Sequence, residues 1–327
     1  MADRHLFVGQ RSLSLAVVAA ALNFISGCSL PAARSASPRN LLPEMMPIQH
    51  QQTDSRNSHE KTLVAQPNQA YKKTIAKLIQ QENIQRLNRP IPVQFQGKTL
   101  AEIKFNSGYK TIAQGSSEKP TAQSAMGKPI ALTFDDGPWT NNTAQTLDFL
   151  KKNNIKATFF VVGRQVQRYP QLVKRIVAEG HAIGNHTWSH QYHMYNAAGA
   201  ASEIDKTADI VYKTTGVKTN LFRPPGGFLN NGLAAYAKQK KYALIMWSAD
   251  SLDWRYHSPN ALLNHVLKEA SAGGIVLMHD GGGDRSKTIK ALPQLIAELK
   301  KRGYTFVTVP ELLEIQDQEK ELMARKG

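Results

Sequence analysis

The 327-residue sequence contains one cysteine, Cys28, so no intrachain disulfide can form. No internal repeat is evident. Lys and Arg outnumber Asp and Glu by 41 to 25, a formal net charge of +16, yet no basic run carries interleaved aromatics. Spread positive charge favours polyanions in general, whether anionic lipid or wall polymer, and nucleic acid is the least supported partner. Long apolar runs are also missing. The longest stretch, Leu13 to Ile25, is too short for a comfortable membrane span.

That stretch follows Arg4 and Arg11 and has the length of a signal-peptide core. Ile25-Ser26-Gly27-Cys28 then reads as a bacterial lipobox, in which Cys28 becomes the lipidated first residue. Export is expected on either reading, as a membrane-anchored lipoprotein facing the periplasm or cell wall, or as a secreted protein with an ordinary signal peptide. Residues 1–28 are therefore set apart as a signal peptide. Residues 29–127 form a linker and N-terminal extension, mostly disordered or helical. Its first part, to about Gln69, is polar and dotted with Pro, a composition that cannot bury enough surface to offset chain entropy. Between Tyr71 and Leu87, the spacing of Ile75, Leu78, Ile79, Ile84 and Leu87 predicts one amphipathic helix. No function is assigned to the segment after it, and residues 316–327 read as a charged tail.

From 128 to 315 the pattern alternates. Ile130–Phe134, Ala157–Val162, His181–Gly184, Leu221–Phe222, Ala243–Trp247, Ile275–Met278 and Thr305–Val309 are strand candidates. Helices are expected over Thr143–Lys152, Gln171–Glu179, Ala201–Lys213, Asn230–Gln239, Pro259–Ala270 and Thr288–Arg302. Such alternation implies parallel strands with right-handed crossovers. Seven units predict an α/β fold of the distorted (β/α)7-barrel type, with a doubly wound open sheet as the alternative.

The conspicuous polar clusters each follow one of those strands: Asp135-Asp136, His186-Thr187-Trp188-Ser189-His190, Arg223-Pro224-Pro225-Gly226-Gly227, Asp250-Ser251-Leu252-Asp253-Trp254 and His279-Asp280. In a β/α barrel the C-terminal strand ends converge on one rim. Adjacent carboxylates repel unless a cation compensates, although Asp-Asp-Gly-Pro is also a common turn signal. His186 and His190, four apart, fall on one face of a helical turn, a spacing suited to chelating one divalent ion. With a nearby carboxylate they make a three-ligand site of catalytic rather than structural composition. His279 is delivered to the rim by an apolar strand, and Asp250 or Asp253 could orient it. Arg223, if buried, needs a carboxylate partner, for which Asp135 is a candidate. The Gly281-Gly282-Gly283 run leaves room for a substrate. Trp188 and Trp254 suit either a sugar-stacking wall or plain packing. His181, His193, His257 and His265 are expected to be structural or surface residues.

Together with Thr133-Phe134-Asp135-Asp136-Gly137-Pro138 and Leu277-Met278-His279-Asp280, these clusters resemble the five ordered motifs of the polysaccharide deacetylase family, the NodB-like domain of carbohydrate esterase family 4. The resemblance covers about residues 128–315. It implies Asp135 as catalytic base, Asp136, His186 and His190 as ligands of a divalent metal, and His279 as general acid. Zinc is the first expectation for the metal, with cobalt or manganese as alternatives. By the same resemblance Arg223 positions the base, Asp253 tunes His279, and the Gly226 amide contributes to an oxyanion hole. Trp254, following the fourth motif's Asp253, is the tryptophan set beside the substrate as a candidate on its own chemistry. Many relatives carry Tyr where this chain has Gly226, which puts the groove's substrate preference in question. The implied activity is removal of N-acetyl groups from N-acetylglucosamine in a cell-envelope polysaccharide, peptidoglycan before chitin oligomers and acetylated xylan. Two other readings are a catalytically dead carbohydrate-binding lipoprotein and a metal-dependent amidase acting on peptide cross-links. A monomer is expected.

Overall fold

The computed structural model describes residues 68–104, 127–256 and 258–325. The signal-peptide stretch, the lipobox with Cys28, and His257 lie outside the described residues. Nine short strands form one sheet: β1 Thr99–Leu100, β2 Lys128–Asp135, β3 Thr158–Val161, β4 Ala182–Asn185, β5 Leu221–Phe222, β6 Ala243–Ile245, β7 Ala249–Asp250, β8 Ile275–His279 and β9 Tyr304–Val307. Their order is β1-β6-β5-β4-β3-β2-β8-β7, with β9 on the N-terminal half of β2. Every strand pairing is parallel. The curled sheet with helices outside it is the distorted barrel expected from the alternation. All seven predicted strands are present, their ends shifted by a residue or two. β1 and β7 were not foreseen.

Period-two alternation sorts β2 between two cores. Ile130, Leu132 and Phe134 face outward into a cluster with Leu147 and Leu150 of α2 (Thr140–Lys152) and Leu292, Leu295 and Leu299 of a later helix, Ser286–Lys301. Ala131 instead joins an inner cluster with Phe160, Leu221, Ala243, Ile245 and Ile275. Leu221, Ala243 and Ile275 each open their strands, so the inner cluster forms the floor of the barrel. Strands covered on both sides in this way read as unbroken apolar runs, which is why β2, β3 and β8 were legible.

The floor is completed by residues from outside the alternating region. Ile91, Phe95 and Ile103 are buried in it, together with Val309, Leu312 and Leu313. A segment given no function at the sequence level thus packs inside the barrel, and its strand β1 pairs with β6. Helix α1, Gln69–Leu87, appears where periodicity predicted it. Among the described residues only its end docks: Ile84 and Leu87 pack on the core, while Leu78 and Ile79 are about half exposed. Arg86 fastens that end, donating to Gly180 O at 2.6 Å and to Glu311 Oε1 at 2.8 Å.

The remaining helices are α3 Gly163–Arg168, α4 Pro170–Ala178, α5 Ala197–Thr215, α6 Leu233–Gln239, α7 Pro259–Glu269, α8 Ser286–Lys301 and α9 Val309–Ala324. Helix α9 opens with a capping box, Thr308 and Glu311 each satisfying the other's backbone. It runs straight through the expected boundary between 315 and 316 and buries Gln316 and Glu319.

Candidate active site

Parallel strands deliver their last residues to one rim. Asp135 ends β2 and lies directly beside His279, the last residue of β8, in the ladder. Asp136, His186 and Arg223 follow β2, β4 and β5 by one residue.

Asp136, His186 and His190 meet there. The ligand atoms lie within 4.8 Å of one another, with Asp136 Oδ1 3.0 Å from His190 Nε2 and 3.5 Å from His186 Nε2. A tetrahedral ion with bonds of about 2.0–2.1 Å requires ligand separations of about 3.3 Å, which these gaps bracket. Asp136 Oδ1 is buried and receives no well-aligned hydrogen bond. Burial opposes ionisation of Asp136, but the two imidazoles outweigh it and hold the carboxyl well below its usual range. His186 Nδ1 donates to Arg223 O at 2.7 Å, which leaves the Nε2 lone pair directed at the cluster. Two imidazoles and one carboxylate fit a divalent cation of the zinc type.

The His186–His190 spacing does not work through a helical turn, as expected, but through a loop. Thr187 and His190 adopt left-handed φ values of 67° and 55°, and Asp136 of 72°. Conformations of this cost persist where surrounding bonds over-determine them. Thr187 N–H donates to Asn185 Oδ1, and His190 N–H to Thr187 Oγ1. Ser189 donates to both carboxylate oxygens of Glu203 on α5.

Asp135 borders this cluster but is paired with Arg223. Its Oδ1 accepts from Arg223 Nη1 at 2.7 Å, and its Oδ2 faces His186 Nε2 at 3.6 Å. Arg223 is fully buried, stacked on Phe160 at 4.1 Å, with Thr133 Oγ1, Ile245 O and Met246 O accepting its other N–H groups. Burial pushes the guanidinium's pKa down, and Asp135 opposes that shift.

Of the two acids that could orient His279, Asp253 is the one that does: its Oδ1 accepts from Nδ1 at 2.6 Å. Thr288 Oγ1 donates to Oδ2 at 2.8 Å. Burial pushes the His279 imidazole down, but Asp253, aided by the charges of Asp136 and Asp135, raises it to about 9. Asp250 instead caps its own loop, accepting from Leu252 N. Trp254 is exposed beside Asp253, whereas Trp188 packs on Gly163.

The glycine run is not open space for substrate, as its sequence suggested. A Cβ at Gly281 would lie 2.2 Å from Asp136 O, and one at Gly282 2.6 Å from Asp136 Oδ2. Both glycines let the chain press on Asp136, and of the three only Gly283 is free of neighbours. His181 is structural as expected, its Nδ1 accepting from Ala157 N–H. His193 packs on Tyr195, and His265 faces Glu269. Thr133 opens the first motif with no role expected from sequence, yet it accepts from Arg223, while Glu203 and Thr288 support the site without belonging to any motif. The only signal of the latter two is tertiary approach.

A family model described as "Polysaccharide deacetylase" matches residues 122–245. The peptidoglycan-N-acetylglucosamine deacetylase of Bacillus cereus is 47% identical over 189 residues, 57% of this chain and 88% of that protein. The peptidoglycan-N-acetylmuramic acid deacetylase PdaA of Bacillus subtilis is 37% identical over 191 residues, 57% of this chain and 72% of the relative. Among solved structures, the Bc1960 peptidoglycan N-acetylglucosamine deacetylase aligns with a TM-score of 0.58 at 32% identity, covering 67% of this chain and 94% of that one. With a relative matched over nearly its whole length and the motif residues gathered on one rim, this chain belongs to the polysaccharide deacetylase family, a family of hydrolases.

Proposed function

We propose that the protein hydrolyses N-acetyl groups on N-acetylglucosamine residues of peptidoglycan and releases acetate, with Asp136, His186 and His190 holding a divalent cation, zinc first. The observation that carries this reading is the division of labour between neighbours. Asp136 faces the two imidazoles with an unpaired oxygen, while Asp135 is turned to Arg223. A cation at the triad supplies Lewis acidity to the acyl carbonyl and lowers the pKa of water to about 7.

Asp135, oriented by Arg223, accepts the proton of the attacking water as its oxygen bonds to the acetyl carbon. The Gly226 amide donates to the oxyanion that develops, and losing one donor of this kind typically costs about 10²–10³ in rate. His279, a cation at neutral pH by its pairing with Asp253, then protonates the sugar nitrogen as the C–N bond breaks. Acetate and a free amino sugar leave. Trp254, exposed next to Asp253, is offered to the glycan.

The test is acetate release by the purified protein from peptidoglycan and from N-acetylglucosamine oligomers, with and without a chelator. Release from peptidoglycan that the chelator stops is expected. No acetate from any glycan by metal-loaded protein overturns the reading. Greater turnover on chitin oligomers or acetylated xylan moves the substrate assignment to those polymers.

Export and a lipid anchor at Cys28 are proposed from the leader sequence. Cys28→Ser should move the protein from the membrane pellet to the soluble fraction and abolish incorporation of labelled fatty acid.

A further inference from the structure

A chain of ring contacts leads outward from the triad. His186 and His190 have centroids 4.9 Å apart, Tyr192 stands edge-on to His190 at 5.3 Å, and Phe228 edge-on to Tyr192 at 5.9 Å. The outer two are 57% and 46% exposed. That exposure leaves much of both rings facing solvent beside a polar site rather than supporting the core. Both residues sit on site loops, Tyr192 two residues after His190 and Phe228 at the end of the turn that follows Arg223.

The backbone between these loops explains the glycine. Gly226 has φ +60°, and a Cβ there would lie 2.9 Å from both the Phe228 and Tyr192 rings. The rings close over this point of the rim, so no side chain can project from position 226 without displacing them. The departure at Gly226 therefore does not leave the groove bare of aromatic surface. The surface is supplied by neighbours on two different loops.

We infer that Tyr192 and Phe228 form an aromatic wall that stacks on a pyranose ring of the glycan next to the sugar being deacetylated, and so sets a preference for oligomers over the monosaccharide. This rests on the deacetylase reading. A pyranose presents C–H groups on its faces and hydroxyls around its rim, so an exposed aromatic face can take the apolar side while the hydroxyls stay in water. The wall is uncharged, which suits a sugar face better than a carboxylate or phosphate. Its contact with His190 makes it continuous with the reaction site.

Titration calorimetry of the zinc-loaded full chain carrying Asp135→Asn, which removes turnover and keeps the metal ligands, with N-acetylglucosamine monomer and trimer tests the inference. Phe228→Ala should raise the trimer Kd by about 5–10-fold, change the monomer Kd by less than about twofold, and leave bound zinc at the wild-type level. Phe228→Trp should restore trimer binding. Tyr192→Ala should act in the same direction as Phe228→Ala, and melting curves check that each variant folds. An unchanged trimer Kd, or equal weakening of monomer and trimer, overturns the wall. Because binding is read without turnover, failure of the wild type to release acetate would count against the deacetylase reading and leave this test standing.

Discussion

Asp253 grips His279 twice: one carboxylate oxygen lies 2.6 Å from Nδ1 and the other accepts the same residue's backbone N–H at 2.9 Å. The carboxylate thereby fixes both the position of the ring and its charge. Asp253→Asn should lower acetate release at pH 8 by about 10²-fold and move the alkaline limb of the pH–rate profile to lower pH. A profile that keeps its alkaline limb would exclude the coupling.

The same pair makes stability depend on pH. His279 is raised from 6.5 to about 9, so its contribution is full below about 6.5 and fades as pH rises towards 9, by on the order of 3 kcal/mol in the chelated protein. Urea unfolding at pH 6 and pH 9.5 should show the gap between wild type and Asp253→Asn narrowing at the higher pH. A gap that is equal at both would sink the assignment.

Asp135→Asn should abolish turnover while bound zinc, measured by elemental analysis, stays near one per chain. Loss of the metal instead would mean that the two aspartates had exchanged roles. Arg223→Ala leaves the buried Asp135 uncompensated and should cost about 3–5 kcal/mol in chemical denaturation.

Zinc binding should raise the melting temperature, because the folded triad binds and the unfolded chain lacks it. At a hundredfold excess over Kd, stabilisation is about 2.7 kcal/mol. His190→Ala should remove most of the zinc-induced rise while the melting temperature of the chelated protein changes little.

The barrel floor yields a prediction for residues upstream of the matched family region. Phe95, 4% exposed, is buried in the inner cluster with Ile91, Ile103 and Phe160, and Phe95→Ala should cost about 3–5 kcal/mol. A chain beginning at residue 105 loses Ile91, Phe95 and Ile103 together and should melt well below the full chain. Equal melting temperatures would show that the floor closes without them.

Why some of this could be read from the sequence and some could not comes down to range. β2, β3 and β8 are apolar runs because helices and barrel interior cover both their faces, and their ends carry Asp135, Asp136 and His279 to a shared rim whatever the loop lengths. β1, Thr99–Leu100, and β7, Ala249–Asp250, each pair one apolar residue with a polar one and leave no run to detect, whereas the equally short β5, Leu221–Phe222, is apolar throughout. α3 is legible only in three dimensions, since Gly163-Arg164-Gln165-Val166-Gln167-Arg168 shows one buried apolar side chain, Val166. The far end of α9 reads as a solvated tail by composition, yet Gln316 Nε2 donates to Lys104 O, a partner more than two hundred residues away. Glu203 and Thr288 are invisible for the same reason. The capping box at Thr308 and Glu311 was present in the sequence and marks the start of α9.

Among the described residues, helix α1 is fastened at its far end only. The bonds of Asn83, Arg86 and Asn88 reach Ala178, Gly180 and Gly216, just ahead of β4 and β5, on the closed side of the barrel. Residues 69–82 precede those fastenings as helix exposed along nearly its whole length, about 21 Å at 1.5 Å per residue. Mechanically this is a stiff stalk bolted to the underside of the molecule. A pull applied at Gln69 is carried into the floor of the barrel and not into the rim, so restraint at that end leaves the loops bearing His190, Phe228 and Trp254 free to move.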